Sequence, residues 1–114
     1  MLQSRSREQI DADKQLRRIR NQDIFIRYVS GETIVSIAER HSISKSTADA
    51  AFRQLVLKLW ERIRNKKLMH PYTPTKYPKL YRGGVFRSRY LNKRDFMAHA
   101  DFWIALVNDY AVRA

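Results

Sequence analysis

The sequence predicts a mainly α-helical fold: a helix-turn-helix three-helix core, then a small basic β-hairpin and a C-terminal helix. Three observations predict it. Two helical patterns abut within SIAERHSISKSTADAAFRQL (residues 36–55), with only Ser42-Ile43-Ser44 between them. Helical periodicity fails after Leu68, where all three prolines cluster and Gly83-Gly84 follows. Beyond Asn92, Phe96, Ala100, Trp103, Val107 and Tyr110 restore it with steps of 4, 3, 4 and 3.

Residues 1–20 read as a basic N-terminal arm or helix of low independent stability, because Leu16 and Ile19 give only a thin apolar stripe. Asn21 is expected to cap the next helix, and Asp23 in its first turn suits the helix dipole. Ile24, Phe25, Tyr28 and Val29 form its buried side, and Ser30-Gly31 ends it. Thr33 then caps a helix from Ile34 to about Arg40, with Ile34, Ile37, Ala38 and His41 on one face. Ser44 caps a third, reaching about Arg64, whose stripe is Ala48, Ala51, Phe52, Leu55, Val56, Leu59, Trp60 and Ile63.

These helices make residues 21–67 the helix-turn-helix domain. The following segment, 68–91, reads as a Pro-rich linker and a basic hairpin; it opens with MHPYTPTKYPK, where Pro71, Pro74 and Pro78 impose extended backbone. It closes with a hairpin turning on Gly83-Gly84. Asn92 caps one last helix, Lys93 to about Val112, within the C-terminal unit 92–114.

The length of 114 residues suits a single domain. The absence of cysteine excludes disulfides and thiolate metal sites. No signal peptide is visible, and the longest apolar run, FWIALV at 102–107, is far too short to span a bilayer. The expectation is a soluble, cytoplasmic protein without a membrane partner. Its net charge of +12 and pI near 10.5 suit a polyanion. Distribution sharpens this: between Glu61 and Arg94 eleven Lys and Arg face the single acid Glu61. A merely solubilising surface would intersperse the signs.

A helix-turn-helix needs a small residue where the helices cross, an apolar plug in the turn, and a second helix that starts polar outside and apolar inside. Ala38 and Ile43 meet the first two needs. Ser44, Lys45, Ser46, Asp49 and Arg53 face one way, and Ala48, Ala51 and Phe52 the other. SGETIVSIAERHSISKSTADAAFRQL resembles the helix-turn-helix of prokaryotic transcription regulators, closest to phage Mor-type activators and the promoter-reading C-terminal domain of sigma factors. Ile37-Ala38, Ile43-Ser44, Ser46-Thr47-Ala48, Phe52 and Leu55 carry the resemblance, and Ser42 departs from it where such turns usually hold glycine.

The resemblance implies a sequence-specific regulator on double-stranded DNA, of phage, plasmid or mobile-element type and nucleoid-associated, with RNA polymerase a further candidate partner. It places the start of the third helix in the major groove. Ser44, Lys45, Ser46, Thr47, Asp49 and Arg53 are the candidate base contacts. Thr33, Arg62, Arg64, Lys66, Lys67, Lys79, Arg82, Arg87 and Arg89 are candidate backbone contacts.

Alternatives stay open at three points. The hairpin, Lys79 to Tyr90, is either a wing on DNA or a segment whose aromatics Tyr81, Phe86 and Tyr90 pack on the helices. Phe96, Ala100, Trp103, Val107 and Tyr110 form either a homodimer seam or the face of a core helix. The function is either regulatory, or that of a DNA-architectural, packaging or recombination accessory, or that of a single-stranded RNA binder stacking bases on those aromatics. His41, His70 and His99 lack metal-ligand spacing, His41 reading as a contact between helices. No nucleophile arrangement or phosphate loop appears, so neither metal, cofactor nor enzymatic activity is expected.

Overall fold

Ser6 starts the first helix with a reciprocal capping box: its hydroxyl accepts from the Gln9 N–H, and the Gln9 side chain accepts from the Ser6 N–H. From there α1 runs unbroken over Arg7–Val29. The predicted cap at Asn21 is therefore corrected, because the basic arm and the following helix are one element. Nothing between positions 7 and 29 is Gly or Pro, and Arg, Gln, Lys and Ala are strong helix formers. Asn21 instead accepts from the Arg20 Nε in mid-helix.

The computed structural model describes residues 6–113. After α1 come α2 (Ile34–Arg40), α3 (Lys45–Lys66), β1 (Tyr81–Arg82), β2 (Val85–Phe86), α4 (Lys93–Ala98) and α5 (Ala100–Arg113). The fold is thus mainly helical with a small antiparallel hairpin, as the sequence predicts. Residues 1–5 of the expected arm and residue 114 lie outside the described residues.

The helix starts and stops after α1 follow their predicted signals. Gly31 adopts a φ of +113° where α1 ends. Thr33 caps α2 by accepting from the Ser36 N–H, and Ser44 caps α3 by accepting from the Thr47 N–H. Asn92 and Asp95 cap α4 reciprocally. One predicted helix is two, however. His99 leaves helical geometry at φ −129°, ψ 40°, and its Nε2 meets the Tyr77 hydroxyl at 2.6 Å. Phe96 before the break and Trp103 after it are both buried in the core.

That core is aromatic and lies between α1, α3 and α5. Phe25 stacks on Phe52 at 5.2 Å, Phe52 meets Phe96 edge-on at 5.1 Å, and Trp103 abuts Phe25 and Phe96. The Pro-rich segment belongs to it too, which corrects its reading as a linker. Tyr72 is wholly buried, accepts from the Trp103 Nε1 at 2.7 Å and donates to the Asp95 carbonyl at 2.8 Å. The predicted extended backbone is corrected in its second half, because residues 74–76 form a turn closed by the Tyr77 N–H on the Thr73 carbonyl and Pro78 starts a 3-10 helix, Pro78–Leu80. Tyr72, between Pro71 and Pro74, anchors the segment.

Of the two readings left open for the Phe96–Tyr110 stripe, the fold matches the face of a core helix. Phe96, Trp103 and Val107 are buried inside this chain, with Ala100 and Tyr110 packed half-buried against the same core. Phe25 and Tyr72 supply the cover that a second copy would have given. Gln22 also fastens α1 to α5 through its Nε2, which donates to Asn108. No helix among the described residues is long and apolar enough to cross a membrane.

Candidate nucleic-acid interface

The α2–α3 turn is built as the sequence demands. Ile37 and Ala38 are buried, Ile43 packs half-buried against the core, and the Ile43 N–H closes the turn on the Ala38 carbonyl at 3.0 Å. Ser42 takes a φ of +53°, the left-handed geometry for which glycine is the usual residue. The departure at Ser42 changes strain, then, rather than shape.

A polar relay fixes α2 against α1. His41 at the end of α2 meets Asp23 at 2.7 Å, Asp23 accepts from Arg27, and Glu32 takes both Arg27 and Arg40. Partial burial disfavours the Asp23 carboxylate, but the hydrogen bonds and charges of Arg27 and His41 outweigh it and hold its pKa below the ordinary value. His41 is an interhelical contact, in keeping with its sequence reading.

The predicted base-contacting set lies on the outer side of α3. Ser44, Lys45, Ser46, Thr47 and Arg53 are exposed and Asp49 is half-buried. The Ser44 Oγ sits 2.7 Å from the Thr47 hydroxyl and 3.1 Å from that of Ser46, gathering three hydroxyls over the first turn. Asp49 accepts from the Arg53 Nε at 2.8 Å. This pair shares a helix face at i, i+4 and costs little to open, because both side chains are solvated. A cytosine amino group and a guanine edge could be met by separating them.

The segment that follows the hairpin comes beside this face. A groove of about 330 Å³ is lined by Asp49, Arg53 and Leu57 of α3 and by Ser88, Arg89 and Leu91 after the hairpin. Gly83 and Gly84, at φ +60° and +78°, form the two-residue turn that pairs Tyr81 with Phe86. Phe86 stacks on Trp60 at 4.0 Å, and the Tyr81 hydroxyl donates to the Tyr72 carbonyl at 2.6 Å. Two of the three hairpin aromatics therefore anchor it to the helices.

Tyr90 stays at the surface. A hydrogen bond from Arg89, with Arg82 and Arg87 close by, holds its phenol below the usual pKa. Among the described residues no carboxylate lies within ion-pair reach of Arg82, Arg87 or Arg89. Three arginines thus crowd one phenol without a counter-charge, and Lys79 lines the neighbouring groove with Tyr90. Such a cluster attracts an anion.

The remaining backbone candidates divide. Arg64, Lys66 and Lys67 are exposed but lie at the far end of α3, about 16–21 Å along the axis from Arg53. Thr33 is exposed and engaged as the α2 cap. Arg62 is turned inward: its Nη2 donates to Asp109 at 3.0 Å, its guanidinium lies 5.9 Å from the Tyr110 ring, and its Nε is buried without a partner. It ties α3 to α5, which the sequence reading missed because the partner acid is 47 residues away.

Compared with family models, curated proteins and solved structures, the chain finds no match. Among the described residues no group of three or more His, Asp or Glu is placed to hold a metal ion.

Proposed function

We propose that this chain is a sequence-specific duplex-DNA-binding regulator of the prokaryotic mobile-element type, with α3 as its reading helix. The observation that carries the reading is the adjacency of two unlike surfaces: the small polar face from Ser44 to Arg53, and the uncompensated arginines at 82, 87 and 89. The first suits base edges, and the second suits phosphates. Arg89 and Arg53 line one groove, so a duplex lying along α3 would meet both.

In this mechanism the arginines and Lys79 dock the backbone through counterion release. The first turns of α3 then probe the major groove, and the Asp49–Arg53 pair opens when a matching base edge replaces it. The relay from His41 to Glu32 keeps α2 at a fixed angle beneath. A nucleoid-associated, cytoplasmic setting follows from this reading, and RNA polymerase would be the partner if the regulator activates.

The packing of half-buried Phe86 and Tyr81 weighs against single-stranded RNA, since rings held on Trp60 and Tyr72 are poor platforms for bases. The test is fluorescence anisotropy with duplex DNA, single-stranded DNA and single-stranded RNA of one sequence. The duplex should bind tightest. Arg89→Ala should weaken duplexes of any sequence alike, by about tenfold or less. Tightest binding to RNA, lost in Tyr90→Ala, would contradict the proposal.

A further inference from the structure

The N-terminal half of α1 stays helical although its residues from Arg7 to Ile19 are largely exposed. An isolated helix of that length is marginal in water, even with a capping box. Ala12, Leu16 and Ile19 recur there at i, i+4 and i+7, so they share one face. All three are exposed, Leu16 to 64% and Ile19 to 54%. The face borders a groove in which Ile19 and Gln15 meet Ala51 and Leu55 of α3 and Ala111 of α5. Next to Ala111, Val112 is 85% exposed.

Charge selects the occupant. Residues 7–13 hold Glu8, Asp11 and Asp13 against Arg7, whereas residues 14–20 hold Lys14, Arg17, Arg18 and Arg20 with no acid. Asp11 and Arg18 flank one side of the Ala12–Leu16–Ile19 face, and Asp13 and Arg17 flank the other, by the 100° step of a helix. The acidic end of one such helix therefore complements the basic end of another laid antiparallel. A parallel pair would set like charges together.

From this we infer that the exposed half of α1 is a self-association surface, on which a second copy of this chain docks its own α1 antiparallel. The apolar face meets its own image across a two-fold axis, and Asp11 of each copy faces Arg18 of the other. This surface replaces the α5 seam, which the chain's own core consumes. It is small, so the dimer is weak and reversible. The inference stands on α1 alone and does not depend on α3 reading DNA.

Sedimentation of the full chain over a micromolar to near-millimolar series tests it. The wild-type mass should rise from 13.6 kDa toward twice that value. Leu16→Glu with Ile19→Glu should abolish the rise while leaving the helical circular dichroism signal and melting intact. Asp11→Arg and Arg18→Asp should each weaken association at least tenfold, and combining them in one chain should restore it. A wild type that stays monomeric throughout would overturn the inference, as would a dimer in which the combined swap rescues nothing.

Discussion

At the scale of single residues, strain and protonation give the sharpest expectations. Ser42 holds a left-handed backbone that costs a non-glycine residue roughly 1–2 kcal/mol, partly offset by the larger unfolded-state entropy of glycine. Ser42→Gly should therefore stabilise the protein by about 0.5–1 kcal/mol in urea unfolding. His70 sits edge-on to Trp60, and its Nδ1 accepts from the Tyr72 N–H, so the ring is neutral at that nitrogen. Burial pushes its pKa below the ordinary value near 6.5. The folded state then binds fewer protons than the unfolded one. His70 leaves stability intact above about pH 6.5 and erodes it as pH falls toward the lowered folded value. Melting temperature should drop more between pH 7.5 and 5.5 in the wild type than in His70→Gln. An equal drop in both would remove His70 as the cause.

At the scale of elements, local signals were legible and distant ones were not. Thr33, Ser44 and Asn92 announce their helices because a cap bonds an amide three residues on. Gly83-Gly84 announces its hairpin for the same local reason. Asn21 misled, since a residue able to cap also sits inside a helix when nothing upstream breaks it. Tyr72 and Arg62 were illegible, because their roles depend on Trp103 and Asp109, brought near only by folding. The hairpin shows how position divides similar residues. Phe86→Ala removes the Trp60 stack and should cost about 1–3 kcal/mol, whereas exposed Tyr90→Ala should stay within about 0.5 kcal/mol. Equal losses in thermal unfolding would mean that the hairpin is not held by that stack.

For the whole molecule, the sequence announced an excess of positive charge but not its arrangement. Folding gathers Arg82, Arg87 and Arg89 around Tyr90 and sets Arg89 across a groove from Arg53, leaves Arg64, Lys66 and Lys67 at the far end of α3, and withdraws Arg62 into a helix joint. The salt dependence of duplex binding should separate these groups. Replacing the three arginines by alanine should flatten the log–log slope by about 2–3, at about 0.9 per phosphate contact. Arg62→Ala should lower the melting temperature and leave the slope unchanged. The most direct measurement is selection of bound duplexes from a random library at near-physiological salt, with wild type beside Arg53→Ala. With α3 as the reading helix, the wild type should yield a sharp consensus that blurs at one position in the variant. Enrichment of no sequence, or an identical consensus from both proteins, would contradict α3 as the reader.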